Sequence, residues 1–547
     1  MADRLPPAWR AWLGAVVALI LLNASLTFEN VWPTPKIRLG HFLSIELAVT
    51  VLILAAAWRW TGWLTGRVLP ALWLVLVAGR YLDVTAPGLY GRPFNIYWDG
   101  RHLGNVAAML SQSAAWWQLL AGAAMLVLAL ALAFAVARVT FSWLGMALAC
   151  PAVRRTAGAA AAAVCVFYVV QYPGPSEPTE GAFASPVSVG YAKQARFAAA
   201  LLGPGAVVPV LAASPALDGN LAGLSGVDVL LLFVESYGAV TFDVPEMAAR
   251  LSAGRSDLEQ AIRQTGRGVV SAFVESPTFG GSSWLAHLSL LSGVEVRDQY
   301  AYSALMASSR DTLVKNFSRG GYRTVAIMPG MRQPWPEGSF YGFDTIYSHD
   351  RLEYRGPQWA WWDIPDQFAL ARLDVLERAR QPRDPLFVVF PTSTTHAPFG
   401  PVAPYVADWP RVLDANAWDP REVEAVMSVE PEWTNLRPNY LQAMQYEYAS
   451  FAGYLRQHPA DDMVMILVGD HQPPAAVSGK DAPWHVPVHV IGREPILRAL
   501  QQHGFRPGLA PQRPSLGAMH TLVPMLLDVF AGAGAAEPVE SSAQRRD

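Results

Sequence analysis

Cysteine is nearly absent. The chain has two, Cys150 and Cys165, both in its apolar first third. The rest can form no internal disulfide, and no Cys-x-x-Cys pair offers a thiolate metal site. Charge is also scarce: Asp, Glu, Lys and Arg make up 16% of residues, and the net charge is −3. No basic stripe stands out, so nothing points to a nucleic-acid partner. At 547 residues the chain exceeds one ordinary domain. Its mean hydropathy is positive, at +0.21, which with the low charge points to a membrane protein.

Apolar length takes the place of charge in residues 1–172. Ala11 to Phe28 has no charged residue, and Phe42 to Trp58 has only Glu46. Val68 to Gly79 is short, and spans only if Arg67 and Arg80 snorkel at its ends. Ala114 to Ala137 is 24 uncharged residues, and Thr156 to Tyr172 adds 17. A span needs roughly 20 apolar residues, so five helices are expected, the third the weakest. No small-x-small cleavage site follows the first, so it is not read as a removable signal. Arg4, Arg10, Arg59, Arg67, Arg138, Arg154 and Arg155 would share the N-terminal side. That distribution puts the N-terminus in the cytoplasm and everything after the fifth span outside, as in a multi-pass bacterial-type cell membrane protein. Lys36, Arg38, Arg92 and Arg101 argue the other way. The segment Gly91 to Asp99 reads as an interfacial aromatic belt or as a lipid-headgroup contact. Residues 173–226 form a Pro/Gly-rich linker with an expected amphipathic helix at Tyr191 to Leu202, and the tail 532–547 reads as disordered.

From Val227 the pattern changes, and 227–531 reads as an α/β domain whose sheet is covered by helices. Expected strands are Val227–Val234, Gly268–Val274, Tyr322–Met328, Leu386–Phe390, Met463–Val468 and Val486–Ile491. Helical patterns fall between most of them. Fully apolar strands of this kind belong to a parallel sheet buried on both faces. Two of them end abruptly, in Glu235-Ser236 and in Gly469-Asp470-His471. Such ends lie at the carboxyl edge of a sheet, where open α/β sheets bind ligands. Glu235, Asp470 and His471 would meet there as oxygen and imidazole ligands for a divalent metal. Gly280-Gly281-Ser282-Ser283 then opens an apolar helix, so a serine hydroxyl meets free N–H groups and the positive dipole end. A metal beside it would favour the deprotonated serine, in place of the general base of a Ser-His-Asp triad.

Phe233-Val234-Glu235-Ser236, Gly280-Gly281-Ser282-Ser283-Trp284, Thr395-His396-Ala397-Pro398 and Val468-Gly469-Asp470-His471 resemble the alkaline phosphatase and sulfatase superfamily. Five helices before such a domain resemble its membrane branch: lipoteichoic acid synthases, phosphoglycerol transferases and phosphoethanolamine transferases. The resemblance implies a metal held by Glu235, Ser283, Asp470 and His471, with Ser283 as nucleophile. Ser283 is preferred to Ser282 because it lies ten residues before Gly293, the family spacing. It implies His396 as a substrate-phosphate ligand. It places Trp335 near the family's Trp-x-Arg, whose arginine is missing here, and Arg332 as the substitute. Asp366 resembles a further acidic position of the group, and fits a helix N-terminus equally. His485 or His489 would contact the phosphate or a second metal, with His489 the better fit to strand packing. The expected metal is one Mn²⁺ or Zn²⁺, ahead of Mg²⁺.

The expected activity is transfer of a phosphoglycerol or phosphoethanolamine headgroup from a phospholipid donor to a glycan or lipid acceptor outside the membrane. A phosphate or sulfate ester hydrolase is the alternative. A formylglycine sulfatase is disfavoured, because Ser283 is followed by Trp-Leu-Ala-His rather than x-Pro-Ser-Arg. A catalytically dead scaffold conflicts with the intact Glu, Ser, Asp and His.

Overall fold

The structure is a computed structural model. It describes residues 8–31, 34–58, 62, 64–90, 94–101, 107, 115–172, 182–202, 211–224, 226–332, 335–359, 363–429, 435–459 and 463–532. The segment from Gly91 to Asp99 lies partly outside these residues, as does the linker; the tail from 533 lies wholly outside. The chain divides into two compact units, Met1–Val207 and Val208–Asp547.

The first unit holds the helices Ala8–Thr27, Ile45–Ala56, Leu69–Tyr90, Trp116–Leu148 and Pro151–Gln171, with a π-turn over Leu64–Val68 leading into the third. Among the described residues four helices are long and apolar enough to cross a membrane: Trp9–Thr27, Leu64–Pro87, Trp116–Leu148 and Pro151–Gln171. The expectation that the third is weakest is corrected. The short one is Ile45–Ala56, whose 12 residues rise about 18 Å against a hydrocarbon core of about 30 Å. The third runs past Arg80 because that guanidinium does not snorkel. It is buried and donates to the Phe28 carbonyl at 2.9 and 3.1 Å. A short ladder joins β1 (Glu29–Asn30) to β2 (Ile37–Arg38). Helix Val187–Leu202 packs on this bundle, with Tyr191 Oη donating to the Val75 carbonyl at 2.8 Å.

The second unit is built on one sheet of eight strands. These are β3 (Asp228–Val234), β4 (Gly268–Glu275), β5 (Arg323–Met328), β6 (Thr345–Ser348), β7 (Leu386–Pro391), β8 (Met463–Gly469), β9 (His485–Gly492) and β10 (Arg506–Pro507). Their order is β10-β4-β9-β8-β3-β7-β5-β6. Every residue of β3 is buried, and its side chains serve two cores. Leu230, Leu232 and Val234 face the core that holds helices Pro245–Gln264 and Arg437–Gln457. Val229, Leu231 and Phe233 face the core that holds Ser283–Ser292 and Leu522–Ala531. This two-sided burial is why the strand reads as an unbroken apolar run.

The sheet is not wholly parallel. β9 runs antiparallel to both β8 and β4. Between β8 and β9 the chain forms only the short helix Ala475–Ser478, with no crossover that would carry it to the far edge. β9 therefore starts where β8 ends, which brings His485 to the same edge as Asp470.

Candidate metal centre and nucleophile

Three loops meet at this edge, and backbone constraints fix them together. After β3, Ser236 turns through a left-handed conformation, φ 57°. Its N–H donates to Asp470 Oδ1 at 2.8 Å and its hydroxyl to Glu235 Oε1 at 2.9 Å. After β8, the Asp470 N–H donates to the Val234 carbonyl at 3.3 Å. The loops cross so closely that a Cβ on Gly469 would sit 1.9 Å from the Tyr237 carbonyl oxygen, so only glycine fits there. The third loop, from Ser276 to Ser282, is bonded to the second. Ser276 Oγ donates to the Asp470 carbonyl at 2.5 Å, and the Gly280 N–H to the Gln472 carbonyl at 3.0 Å. Ser282 caps the helix in a left-handed conformation, φ 64°, which turns Ser283 inward.

Ser283, not Ser282, presents its hydroxyl to the cluster. Its Oγ donates to Glu235 Oε2 at 2.8 Å and lies 3.1 Å from His471 Nε2. His471 Nδ1 donates to the Gln472 carbonyl at 2.8 Å, so Nε2 keeps its lone pair for the site. His471 Nε2 is 3.4 Å from Glu235 Oε1 and 3.6 Å from Asp470 Oδ2. Glu235, Asp470 and His471 are all buried, and each offers an atom within 4.8 Å of the others.

The charges in this pocket do not balance. Burial pushes both carboxyls towards the neutral form. At Glu235 the adjacent His471 and His396 and the Ser283 hydrogen bond outweigh it and bring the group down to about 2. At Asp470 burial and the nearby Glu235 push the carboxyl well above its ordinary range. Burial also lowers His471. Asp470 Oδ2 is buried and has no hydrogen-bond partner. An orphaned carboxylate oxygen beside a second carboxylate and an imidazole lone pair fits a divalent cation, which would supply the missing positive charge. Two carboxylates, a serine oxygen and one imidazole together form a donor set for a divalent cation.

His396 lies in the loop after β7. Asp366 holds that loop from below, accepting from the Ser393 N–H at 2.9 Å and the Thr394 N–H at 2.6 Å. Asp366 is therefore a support for the histidine loop as well as a helix-start acid. His396 Nδ1 donates to the Ala397 carbonyl at 2.8 Å. The other expected substrate ligands are engaged elsewhere. Arg332 pairs with Asp363 at 2.7 Å, and Asp363 also bonds His349 Nε2 at 3.0 Å. Asp363 and His396 line one small cavity, which keeps this pair near the histidine loop. Trp335 packs against Tyr341, ring centroids 5.3 Å apart. His485 Nδ1 accepts from Arg513 at 3.0 Å. His489 is buried in β9, bonded to Tyr237 Oη at 2.9 Å and Ser271 Oγ at 2.6 Å. Among the described residues no second group of three metal-ligating side chains occurs. Sequence reasoning missed the bridging of Ser236 and the place of His287, which stands on the Ser283 face one helical turn on.

Residues 289–507 match the family model described as Sulfatase. The match lies within the α/β domain, and the chain also carries apolar helices before it. No curated protein matches the chain. Among solved structures it is similar to the integral membrane lipooligosaccharide phosphoethanolamine transferase A of Neisseria meningitidis, at 13% identity, covering 96% of this chain and 98% of that one, with a TM-score of 0.46. It is similar to the lipoteichoic acid synthase LtaP of Listeria monocytogenes at 12% identity, covering 59% of this chain and 79% of that one, TM-score 0.36. The phosphoglycerol transferase GacH of Streptococcus pyogenes is similar at 12% identity, covering 57% of this chain and 87% of that one, TM-score 0.34.

Proposed function

We propose that this chain is a membrane-anchored, divalent-metal-dependent transferase. It moves a phosphoglycerol or phosphoethanolamine headgroup from a phospholipid to a glycan or lipid acceptor outside the cytoplasm, through a phosphoserine at Ser283. The observation that carries the reading is the Ser283 hydroxyl at a helix start, 2.8 Å from Glu235 and 3.1 Å from His471, in a chain whose described residues include four membrane-length apolar helices. Glu235, Ser283, Asp470 and His471 would hold the cation. When bound, the ion supplies positive charge that lowers the pKa of the serine hydroxyl and offsets the buried carboxylates. Ser283 Oγ attacks phosphorus and loses its proton to solvent, an Oγ–P bond forms, and the P–O bond to diacylglycerol breaks, the leaving oxygen taking a proton from solvent. The acceptor hydroxyl repeats the displacement and frees Ser283. The helix start offers its free N–H groups to the phosphoryl oxygens, and His396 would steady the same charge from the opposite loop by donating from Nε2–H in its doubly protonated form.

A hydrolase using water as acceptor is the second reading, favoured by the Sulfatase family match. Purified protein in mixed phospholipid vesicles separates the two. Transfer yields diacylglycerol and a modified added glycan or lipid acceptor. Hydrolysis yields diacylglycerol and free glycerol phosphate or phosphoethanolamine, whatever acceptor is added. An outside location needs the short helix Ile45–Ala56 to cross as a fifth span, and an export-dependent reporter fused after Asp547 is then expected to be active. An inactive one beside an active cytoplasmic reporter would reverse it.

A further inference from the structure

His287 lies four residues after Ser283, so both side chains share one helix face. Its ring rests on Phe233, two residues before Glu235, with centroids 4.3 Å apart. The side chain keeps 17% of its exposure, but Nε2 is buried and has no hydrogen-bond partner. That nitrogen faces Asp470 Oδ2 at 3.9 Å. Oδ2 is itself buried and without a partner. Two orphaned buried atoms of complementary chemistry thus point at each other, about 1 Å beyond hydrogen-bond length. Leaving both unsatisfied is costly, and burying a bare ring nitrogen against Phe233 alone would gain nothing that a leucine could not supply.

We propose that His287 is the positioning residue of the metal centre, donating from Nε2–H to Asp470 Oδ2. The inference rests on the metal reading above and adds a residue to it. A carboxylate oxygen has two lone pairs, one for a cation and one for a donor. Carboxylate ligands are ordinarily held by such outer hydrogen bonds. The other carboxylate oxygen, Oδ1, is already fixed by the N–H groups of Ser236 and His471, at 2.8 and 2.7 Å. Oδ2 is the atom left to aim, and His287 is placed to aim it. His287 is not assigned as a ligand, because the donor atoms within 4.8 Å of one another come from Glu235, Asp470 and His471 without it. The helix that carries the nucleophile would thereby also hold a ligand, tying Ser283 and Asp470 to one rigid element.

The test is Mn²⁺ and Zn²⁺ binding by calorimetry on the full chain in detergent. His287→Leu is expected to weaken binding about 10–100-fold, the usual cost of losing an outer-shell partner. His287→Gln, which can donate from a similar position, is expected to recover most of that loss. If His287→Leu lowers the melting temperature of the ion-free protein, His287→Met carries the comparison, being similar in bulk and unable to donate. Wild-type affinity in a folded Leu or Met variant would overturn the proposal and leave His287 as packing. Equal loss in Gln and Leu would also overturn it, since donation would not be the property that matters. A second bound ion in the wild type, lost in His287→Leu, would make His287 a ligand and overturn the positioning role. A wild type that binds neither ion would overturn the metal reading itself, and this inference with it.

Discussion

Asp470→Asn separates the scaffolding role of this side chain from its charge. Oδ1 accepts from the Ser236 and His471 N–H groups, and an asparagine oxygen can keep both bonds. Only Oδ2 changes, from a buried oxygen without a partner to an amide. In the ion-free protein burial and Glu235 already push Asp470 towards its neutral form. The substitution therefore removes no favourable charge, and the ion-free variant should melt no lower than ion-free wild type. With ion present the two should diverge. An ion at one hundred times its dissociation constant stabilises the native state by about 2.7 kcal/mol, or about 5 °C in a domain of this size. Wild type should show that rise with Mn²⁺ or Zn²⁺, and the variant little of it. Calorimetry in buffers of different ionisation enthalpy should also register proton release when wild type binds the ion, because the buried carboxyl must ionise. An equal rise in melting temperature for the variant, or binding without proton release, would show that Asp470 does not hold the ion as a carboxylate.

Ser283→Ala should abolish turnover with unchanged metal-free melting, whereas Ser282→Ala should keep most activity, because its hydroxyl makes no contact with the cluster; headgroup release from labelled phospholipid measures both. Asp366→Ala strands the buried Ser393 N–H and the partly buried Thr394 N–H, and should cost about 3 kcal/mol in denaturant unfolding and lower kcat/KM about 10–100-fold by displacing the His396 loop. His489 is depressed from 6.5 to about 3 by burial, so its contribution is complete above pH 6.5 and is lost as pH falls towards 3. Wild type should lose about 2 kcal/mol at pH 5 from this group, and His489→Gln should flatten that part of the stability curve.

The sequence showed most where one short stretch carried the whole signal. β3 and β8 are apolar runs that stop at an acid, and the acids stand where such strands end. Glycines and a helix start pointed to the Ser282-Ser283 pair, and only the family spacing to Gly293 chose between them. What could not be read depends on partners far along the chain. Ser236 bridges to Asp470 only because β3 and β8 are neighbours, and Gly469 looks ordinary until the Tyr237 carbonyl is set against it. Asp366 read equally as an acidic position of the resembled family and as a helix-start acid, and its hold on the Ser393 loop needs the tertiary fold. β9 has the composition of a parallel strand, and only the missing crossover reverses it. Arg80 looked like the end of a span because local reading cannot supply the Phe28 carbonyl that satisfies it.

The most direct test of the account is the mass of the peptide carrying Ser283, taken from protein quenched during turnover with a defined phospholipid. The account predicts an added phosphorylated headgroup on Ser283, formed with diacylglycerol release and discharged when acceptor is supplied. An unmodified Ser283 peptide throughout turnover, or the same mass on another residue, would contradict it.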